Sequence, residues 1–158
     1  MAVFKMDTND TYQGGVKPKG YYEVEIDNAY EEASKTGGNS YVRIVLRVRE
    51  DVEQAYKKAL IFVNLYRSRE TGEFNFRIFN SIGKACGMEN GKEYNTLSEL
   101  LDDFRGRSCK IKLGHNEYNE RTYERVDEWK SSDFPKERNL IKASGFDEVS
   151  IEDEDIPF

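Results

Sequence analysis

From residue 21 the chain alternates. Tyr22, Val24 and Ile26 are interleaved with Tyr21, Glu23, Glu25 and Asp27, the period of a strand with one dry face and one wet one. The cluster Thr36, Gly37, Gly38 and Asn39 reads as a turn, and residues 41–49 (YVRIVLRVR) resume the pattern in its most regular form. There Val42, Ile44, Leu46 and Val48 make one face, and Tyr41, Arg43, Val45, Arg47 and Arg49 the other. Residues 50–57 are polar and end the strand. From Lys58 a third strand puts Ile61, Val63 and Leu65 on one side and Leu60, Phe62, Asn64 and Tyr66 on the other, with Arg67 and Arg69 just beyond. The spacing then changes to four: Phe74, Ile78, Ile82 and Cys86 predict a helix stopped by Gly87, with Phe76 and Phe79 flanking its apolar stripe as further core residues. Thr96 with Glu99 three positions on is a capping box, opening a short helix that carries Leu97, Leu100, Leu101 and Phe104 up to Gly106. A fourth strand spans about residues 107–114, with Cys109, Ile111 and Leu113 inward and Lys110 and Lys112 outward. Residues 116–120 (NEYNE) turn, and a fifth strand follows to about Trp129 with the poorest alternation of the five.

Three strands, a helical insert in two pieces and two more strands make a mainly β chain. This is the layout of the five-stranded OB-fold barrel, with its helix between strands 3 and 4 and its ligand face across strands 2 and 3. A generic α+β domain is the alternative. Around the barrel, residues 1–19, interrupted by Gly14, Gly15 and Pro18, read as a flexible arm; residues 20–134 hold the domain, and residues 135–158 read as a disordered acidic tail.

Length agrees with one domain plus tails, since 158 residues rarely divide into two cores. The hydrophobic share is only 37%, but 20 aromatics supply large burial per residue and argue against wholesale disorder. The net charge of −6 changes meaning once it is located. Of the 30 acids, six lie in residues 143–158, which leaves 24 against the 24 bases of residues 1–142, so the body is neutral and the tail carries the imbalance. Within that tail Glu152, Asp153, Glu154 and Asp155 repel one another and are followed by the apolar Ile156, Pro157 and Phe158, a run no core would accept.

Cys86 and Cys109 lie outside any CxxC context and are expected as reduced thiols. His115 alone supplies imidazole, and at a strand end it reads as a solvated residue. No nucleophile elbow, phosphate-binding loop or HExxH motif occurs, and neither a metal nor another cofactor is expected. No signal-peptide pattern or membrane-length apolar run occurs either, so a soluble cytoplasmic protein without membrane contact is expected.

The chemistry that the pattern does offer is cationic and aromatic. Arg43, Arg47, Arg49, Arg67, Arg69, Lys110 and Lys112 are candidates for phosphate contacts, and Tyr41, Phe62, Tyr66 and Trp129 for stacking on unpaired bases. The same combination would serve single-stranded DNA, RNA or an oligosaccharide.

Residues 153–158 (DEDIPF) closely resemble the acidic tip, ending Asp-Ile-Pro-Phe, of bacterial single-stranded DNA-binding proteins. The stretch KPKGYYEV from Lys17 to Val24, with KTGGNS from Lys35 to Ser40 and the apolar strand after it, is similar to the opening of a phage-encoded family that serves as single-stranded DNA-binding protein. The resemblance implies a non-catalytic protein of the bacterial host's cytoplasm that coats single-stranded DNA during phage replication and recombination. It also implies that Asp153, Glu154, Asp155, Ile156, Pro157 and Phe158 dock on replication, recombination and repair proteins, with Phe158 as anchor. A homo-oligomer, a dimer ahead of a tetramer, is the expected assembly. The alternative function is an adaptor whose tail recruits such proteins while the body binds no DNA.

Overall fold

A computed structural model describes residues 3–8, 16–34 and 38–144. The acidic tip therefore lies outside the described residues, as do residues 35–37 of the first turn. The elements are β1 (Gly20–Glu32), β2 (Tyr41–Val48), β3 (Leu60–Leu65), α1 (Phe76–Ala85), α2 (Leu97–Phe104), β4 (Ser108–Tyr118), β5 (Arg121–Lys130) and α3 (Leu140–Ser144).

The strands join antiparallel in the order β3-β2-β1-β4-β5, and β3 and β5 at the two ends approach each other to close the barrel. Helices α1 and α2 fall between β3 and β4. The chain is thus mainly β with a helical insert, and its strand order is that of the OB-fold. Lys17 staples the seam: its ammonium donates to the Leu60 carbonyl at 2.9 Å and pairs with Glu124 at 3.4 Å, while its backbone N–H donates to the same carboxylate at 2.6 Å.

One strand serves both halves. The first part of β1 pairs with β4 (Gly20 opposite Leu113 to Glu25 opposite Ser108) and its later part with β2 (Val24 opposite Val48 to Glu32 opposite Tyr41). A bulge at Asp27 lets it bend, because Ile26 faces Leu46 while Asn28 faces Val45. The extra residue reverses which positions point inward: Val24 and Ile26 before it and Ala29 after it are all fully buried. Beside them, Val42, Ile44, Leu46 and Val48 of β2 and Ile111 and Leu113 of β4 fill the interior, and Ile82 of α1 and Phe104 of α2 plug its end.

The helices begin where their caps allow. Asn75 accepts from the Arg77 N–H, so α1 starts at Phe76 rather than at Phe74. Phe76 then points outward and is exposed, not core, whereas Phe79 and Ile82 are buried. Thr96 accepts from the Glu99 N–H at 3.2 Å, as the capping-box spacing predicts, while the Glu99 carboxylate accepts at 3.1 Å from the N–H of Asn95, one residue before the cap. Cys109 is fully buried, and the neighbouring Cys86 thiol together with burial pushes its own thiol up.

Residues 131–144, read from the sequence as mostly tail, instead form a strap over the outer face of β1. Ser132 and the Asp133 N–H donate to Glu23 at 2.5 and 3.0 Å, Lys136 and Lys142 each pair with Glu25 at 2.6 Å, and Arg138 donates to the carbonyls of Arg105 and Asp102 at 2.8 Å. The Asn139 N–H reaches the carbonyl of Gly106, whose φ of 81° suits glycine; a Cβ there would collide with the Asn139 carbonyl. The folded unit consequently runs past residue 134 to residue 144. All these contacts are polar, and hydrophobic periodicity does not register them.

The strap also claims Arg49. That residue lies beyond the end of β2 and is buried, with its guanidinium on Asp51 (2.7 Å), the Phe134 carbonyl (2.7 Å) and Ser132 (3.2 Å). It is an internal tie and not part of an outer basic face, and it holds the Asp51 carboxyl down at about 2. The same guanidinium lies 3.8 Å from the buried Glu23 carboxylate, so Arg49→Ala should leave Glu23 buried without its cation and cost about 3 kcal/mol or more. In a thermal melt that is a fall in Tm of roughly 6–12 °C.

Burial alone would raise the Glu25 carboxyl, but the hydrogen-bonded ammoniums of Lys136 and Lys142 outweigh it and hold it below its ordinary 4.5. The strap's grip on Glu25 is therefore complete above that ordinary value and fades as pH falls through the lower folded one. The protection factors of the amides of residues 139–144, that is, their exchange corrected for its intrinsic pH dependence, should fall as pH drops below that ordinary value and before those of the barrel strands. Simultaneous loss of protection in strap and barrel would show that the strap is not separately held.

Candidate nucleic-acid interface

The outward side chains of β2 and β3 line up in rows set by the pairing register. Arg43 stands between Tyr30 of β1 and Asn64 of β3; Val45 stands between Asn28 and Phe62; Arg47 is opposite Leu60. The Arg43 guanidinium donates to the Asn64 Oδ1 at 3.1 Å and lies 5.4 Å from the Phe62 ring centre and 6.0 Å from that of Tyr41. Tyr41 and Tyr66 have their rings 5.1 Å apart, and Asn64 reaches the Tyr66 hydroxyl at 3.3 Å. Phe62 is 51% and Tyr66 66% exposed. The rings of Tyr41 and Phe62 thus flank one guanidinium that has no carboxylate partner among the described residues, with Tyr66 against Tyr41 and Tyr30 opposite Arg43 in the register.

Arg47 borders this face. It is shared between Asp27 at 2.8 Å and the Lys58 carbonyl at 2.9 Å, so its charge is partly offset. Arg67 is largely committed to structure: it lies 4.2 Å over the Phe74 ring and donates to the Ser40 and Gly72 carbonyls and to Glu31. Arg69 is exposed in the turn after β3, in no ion pair among the described residues. Tyr41, Arg43, Arg47, Phe62 and Tyr66 therefore come together as the alternation predicts.

The remaining candidates do not join them. Trp129 sits opposite Ile111 and packs inward on the core, which removes it as a stacking platform. Lys110 and Lys112 project from the outer face of β4, on the other side of the barrel, where they pair with Asp133 at 2.7 Å and Glu128 at 3.5 Å. They lie 5.4 and 5.9 Å from the ring of Tyr21, and Lys130 lies 5.4 Å from it. His115 does not stand free in solvent either, since its Nε2 is 2.7 Å from the Lys17 carbonyl.

Sequence reading missed three kinds of residue. Tyr30 reaches the face only because the bulge reverses the parity of β1, and the sign of it is the slip from Ile26 to Ala29 as successive inward positions. Tyr118 and Tyr123 stand on the β4–β5 hairpin, which continues five residues beyond the last pair with β1. Its turn holds Asn119 and Glu120 at φ of 51° and 63°, a two-residue connection of the primed type. Tyr21 was read only as a wet-face position of β1.

The most shifted groups lie elsewhere. Asp103, where burial is outweighed by hydrogen bonds from Tyr94, Arg107 and Lys92, is held well below the carboxylate range, while burial and Asp103 push Tyr94 up to about 12. These contacts fasten the loop before α2 to the helix. Among the described residues no group of His, Cys, Asp and Glu is arranged to hold a metal ion, and no helix is long and apolar enough to cross a membrane.

No curated protein matches the chain. Among solved structures, yeast RPA bound to ssDNA is similar over 90% of this chain and 91% of that one, with 10% identity and a TM-score of 0.35. The profile of the family described as Protein of unknown function (DUF669) matches residues 4–138, the whole barrel and part of the strap, and the chain belongs to that family.

Proposed function

We propose that the chain binds single-stranded DNA, without reading its sequence, across the outer face of β2 and β3. The observation that carries this reading is Arg43: a cation without a counter-charge among the described residues, set against exposed aromatic rings. Exposed rings lose the free energy that burial would return, and an unpaired guanidinium among them offers a phosphate a partner that need not be taken from a carboxylate. Bases stacking on Phe62 and on the Tyr41–Tyr66 pair would contribute about 1–3 kcal/mol each, and any base can do so. Duplex DNA keeps its base faces inside the helix and gains only the charge term, so single strands are favoured. The role is binding and not catalysis.

The further reading is a phage protein acting in the bacterial cytoplasm during DNA replication and recombination. Its residues 153–158 would hand the coated strand to replication and repair proteins through Phe158 and the acids before it. This part is supported by the resemblance of that hexapeptide and lies outside the described residues.

Oligo(dT) should bind more tightly than duplex of the same length, with log affinity falling as log salt rises by about 0.7 per phosphate contacted. Arg43→Ala should weaken binding and flatten that slope by about 0.7. Phe62→Ala should cost about 5- to 150-fold in affinity with a nearly unchanged slope, because it removes stacking and not charge. Both variants should melt within about 2 °C of the parent, since surface changes are usually small in stability. Preference for duplex, or no binding at low salt, would overturn the proposal. Removal of residues 153–158 separates it from the adaptor reading: DNA binding should survive while partner capture is lost, whereas the adaptor reading expects no DNA binding in either form.

A further inference from the structure

The helical insert encloses an apolar hollow that the barrel does not fill. In α2, Leu101 and Phe104 turn into the barrel and are buried, whereas Leu97 and Leu100, on the side toward α1, stay half-buried. In α1, Phe79 and Ile82 turn inward, while Phe76 remains 53% exposed with its ring 5.5 Å from that of Phe79. The loop between the helices passes through Gly87 and Gly91, both at positive φ, and sets Met88 and Tyr94 against the same space. Two adjoining cavities of about 630 and 290 Å³ result, with Phe79, Tyr94 and Leu100 in the walls of both. The larger is within the range of clefts that hold ligands, about 300–1,000 Å³. Both are lined by residues of the insert, from Phe76 to Phe104, and share no side chain with the β2–β3 face.

The charge around this groove is balanced. Lys84, Glu89 and Lys92 line it, and Lys92 is already held by Asp103 at 3.2 Å. That leaves Lys84 against Glu89, neither of them in an ion pair among the described residues.

A segment of matching character stands at the other end of the chain. Val3 is fully exposed, and Phe4 and Met6 are each 71% exposed. Three apolar side chains within four residues form a cluster and not scattered surface positions, which marks a contact site. Their exposure also means that they do not fill the groove of their own chain. The charges that accompany them, Lys5 and Asp7, are one of each sign. The part of the chain that the family profile covers begins at residue 4 and ends at residue 138, so it holds Phe4, Met6 and the whole groove but not the acidic tip.

We propose that residues 3–6 of one copy dock in the α1–α2 groove of a second copy, with Phe4 and Met6 against Phe76, Phe79 and Leu100. The contact is between unlike surfaces, and each copy carries one of each, so copies join reciprocally in a pair or head to tail in a row. It needs no DNA, and on a strand that held several copies it would make their binding cooperative. The tip is the other apolar segment of the chain, but it would bring four carboxylates beside Glu89 with only Lys84 to offset them. The balanced arm is therefore the better occupant.

Sedimentation velocity of the full-length protein without DNA tests the contact. The average mass of the parent should rise above that of one chain as concentration increases. Phe4→Ala with Met6→Ala should weaken this association at least about tenfold, as truncation of interface anchors does. Phe76→Ala should weaken it as well, and because Phe76 is exposed the variant should keep the parent's melting temperature within about 2 °C. The arm variant retains a whole groove and the groove variant a whole arm, so mixing the two should restore association, which a misfolded variant could not do. A parent that sediments as one chain at every concentration would overturn the proposal. So would variants that associate as the parent does, or a mixture that stays single. Removal of residues 153–158 should leave association unchanged; if that removal abolished it while the arm variant still associated, the groove would belong to the tip and not to the arm.

Discussion

Five strands close into a barrel only if one of them finds partners on both sides along different parts of its length, and β1 meets that requirement. Its pairing changes from β4 to β2 over the few residues around Val24 and Glu25, and the bulge at Asp27 supplies the bend. Much else depends on that one inserted residue. It turns Tyr30 outward beside Arg43, and it presents the Asp27 carboxylate to both Arg47 and Lys142. The border of the β2–β3 face and the end of the strap are consequently held by the same side chain. Any phosphate that draws Arg47 away must compete with Asp27, and Asp27 keeps Lys142 when it does.

The order of elements and the inward residues of β2, β3 and β4 were legible in the sequence because alternation is a direct record of which side is dry. The helical insert was legible through its caps and its four-residue stripe, with Phe76 misplaced because the true N-cap is Asn75. What could not be read is what breaks the period. The bulge at Asp127 explains why β5 alternated worst: with one residue added, both Val126 and Trp129 face inward, so Trp129 packs on the core and not on a ligand. Arg49 kept the phase of β2 on paper, yet the strand ends at Val48 and the side chain turns under the strap. The strap itself is a sequence of ion pairs and carbonyl contacts between residues far apart in the chain, which no local pattern records.

On the outer surface most cations are already engaged. Arg47, Arg67, Lys110, Lys112 and Lys130 each have a carboxylate within 4 Å, while Arg43 on β2 does not. The pairs exposed on both sides, those of Lys112 and Lys130 with Glu128, contribute little to stability, commonly below about 1 kcal/mol, so their exchange for phosphate costs little as well, whereas Asp27 is mostly buried. The difference between the two kinds of cation is therefore one of order. On the proposed function, Arg43 would accept a phosphate at once, whereas the paired residues would become available as a polyanion arrives and their carboxylates are released to solvent.

On the proposed function, that order bears on how a chain with a neutral body would hold a polyanion. With 24 acids against 24 bases in residues 1–142, the body exerts no net long-range pull, and screening at about 8–10 Å in physiological salt limits what remains to local fields. A uniformly basic surface would gain affinity chiefly by releasing counterions and would lose it steeply as salt rises. Here the unpaired charge is sparse and the rings are many, so in the binding proposed above stacking would supply a larger share of the free energy than charge. Stacking also acts only on unpaired bases. The same scarcity of free cations that would weaken the pull on phosphates would therefore sharpen the proposed preference for single strands over duplex, because a duplex presents the phosphates and withholds the bases.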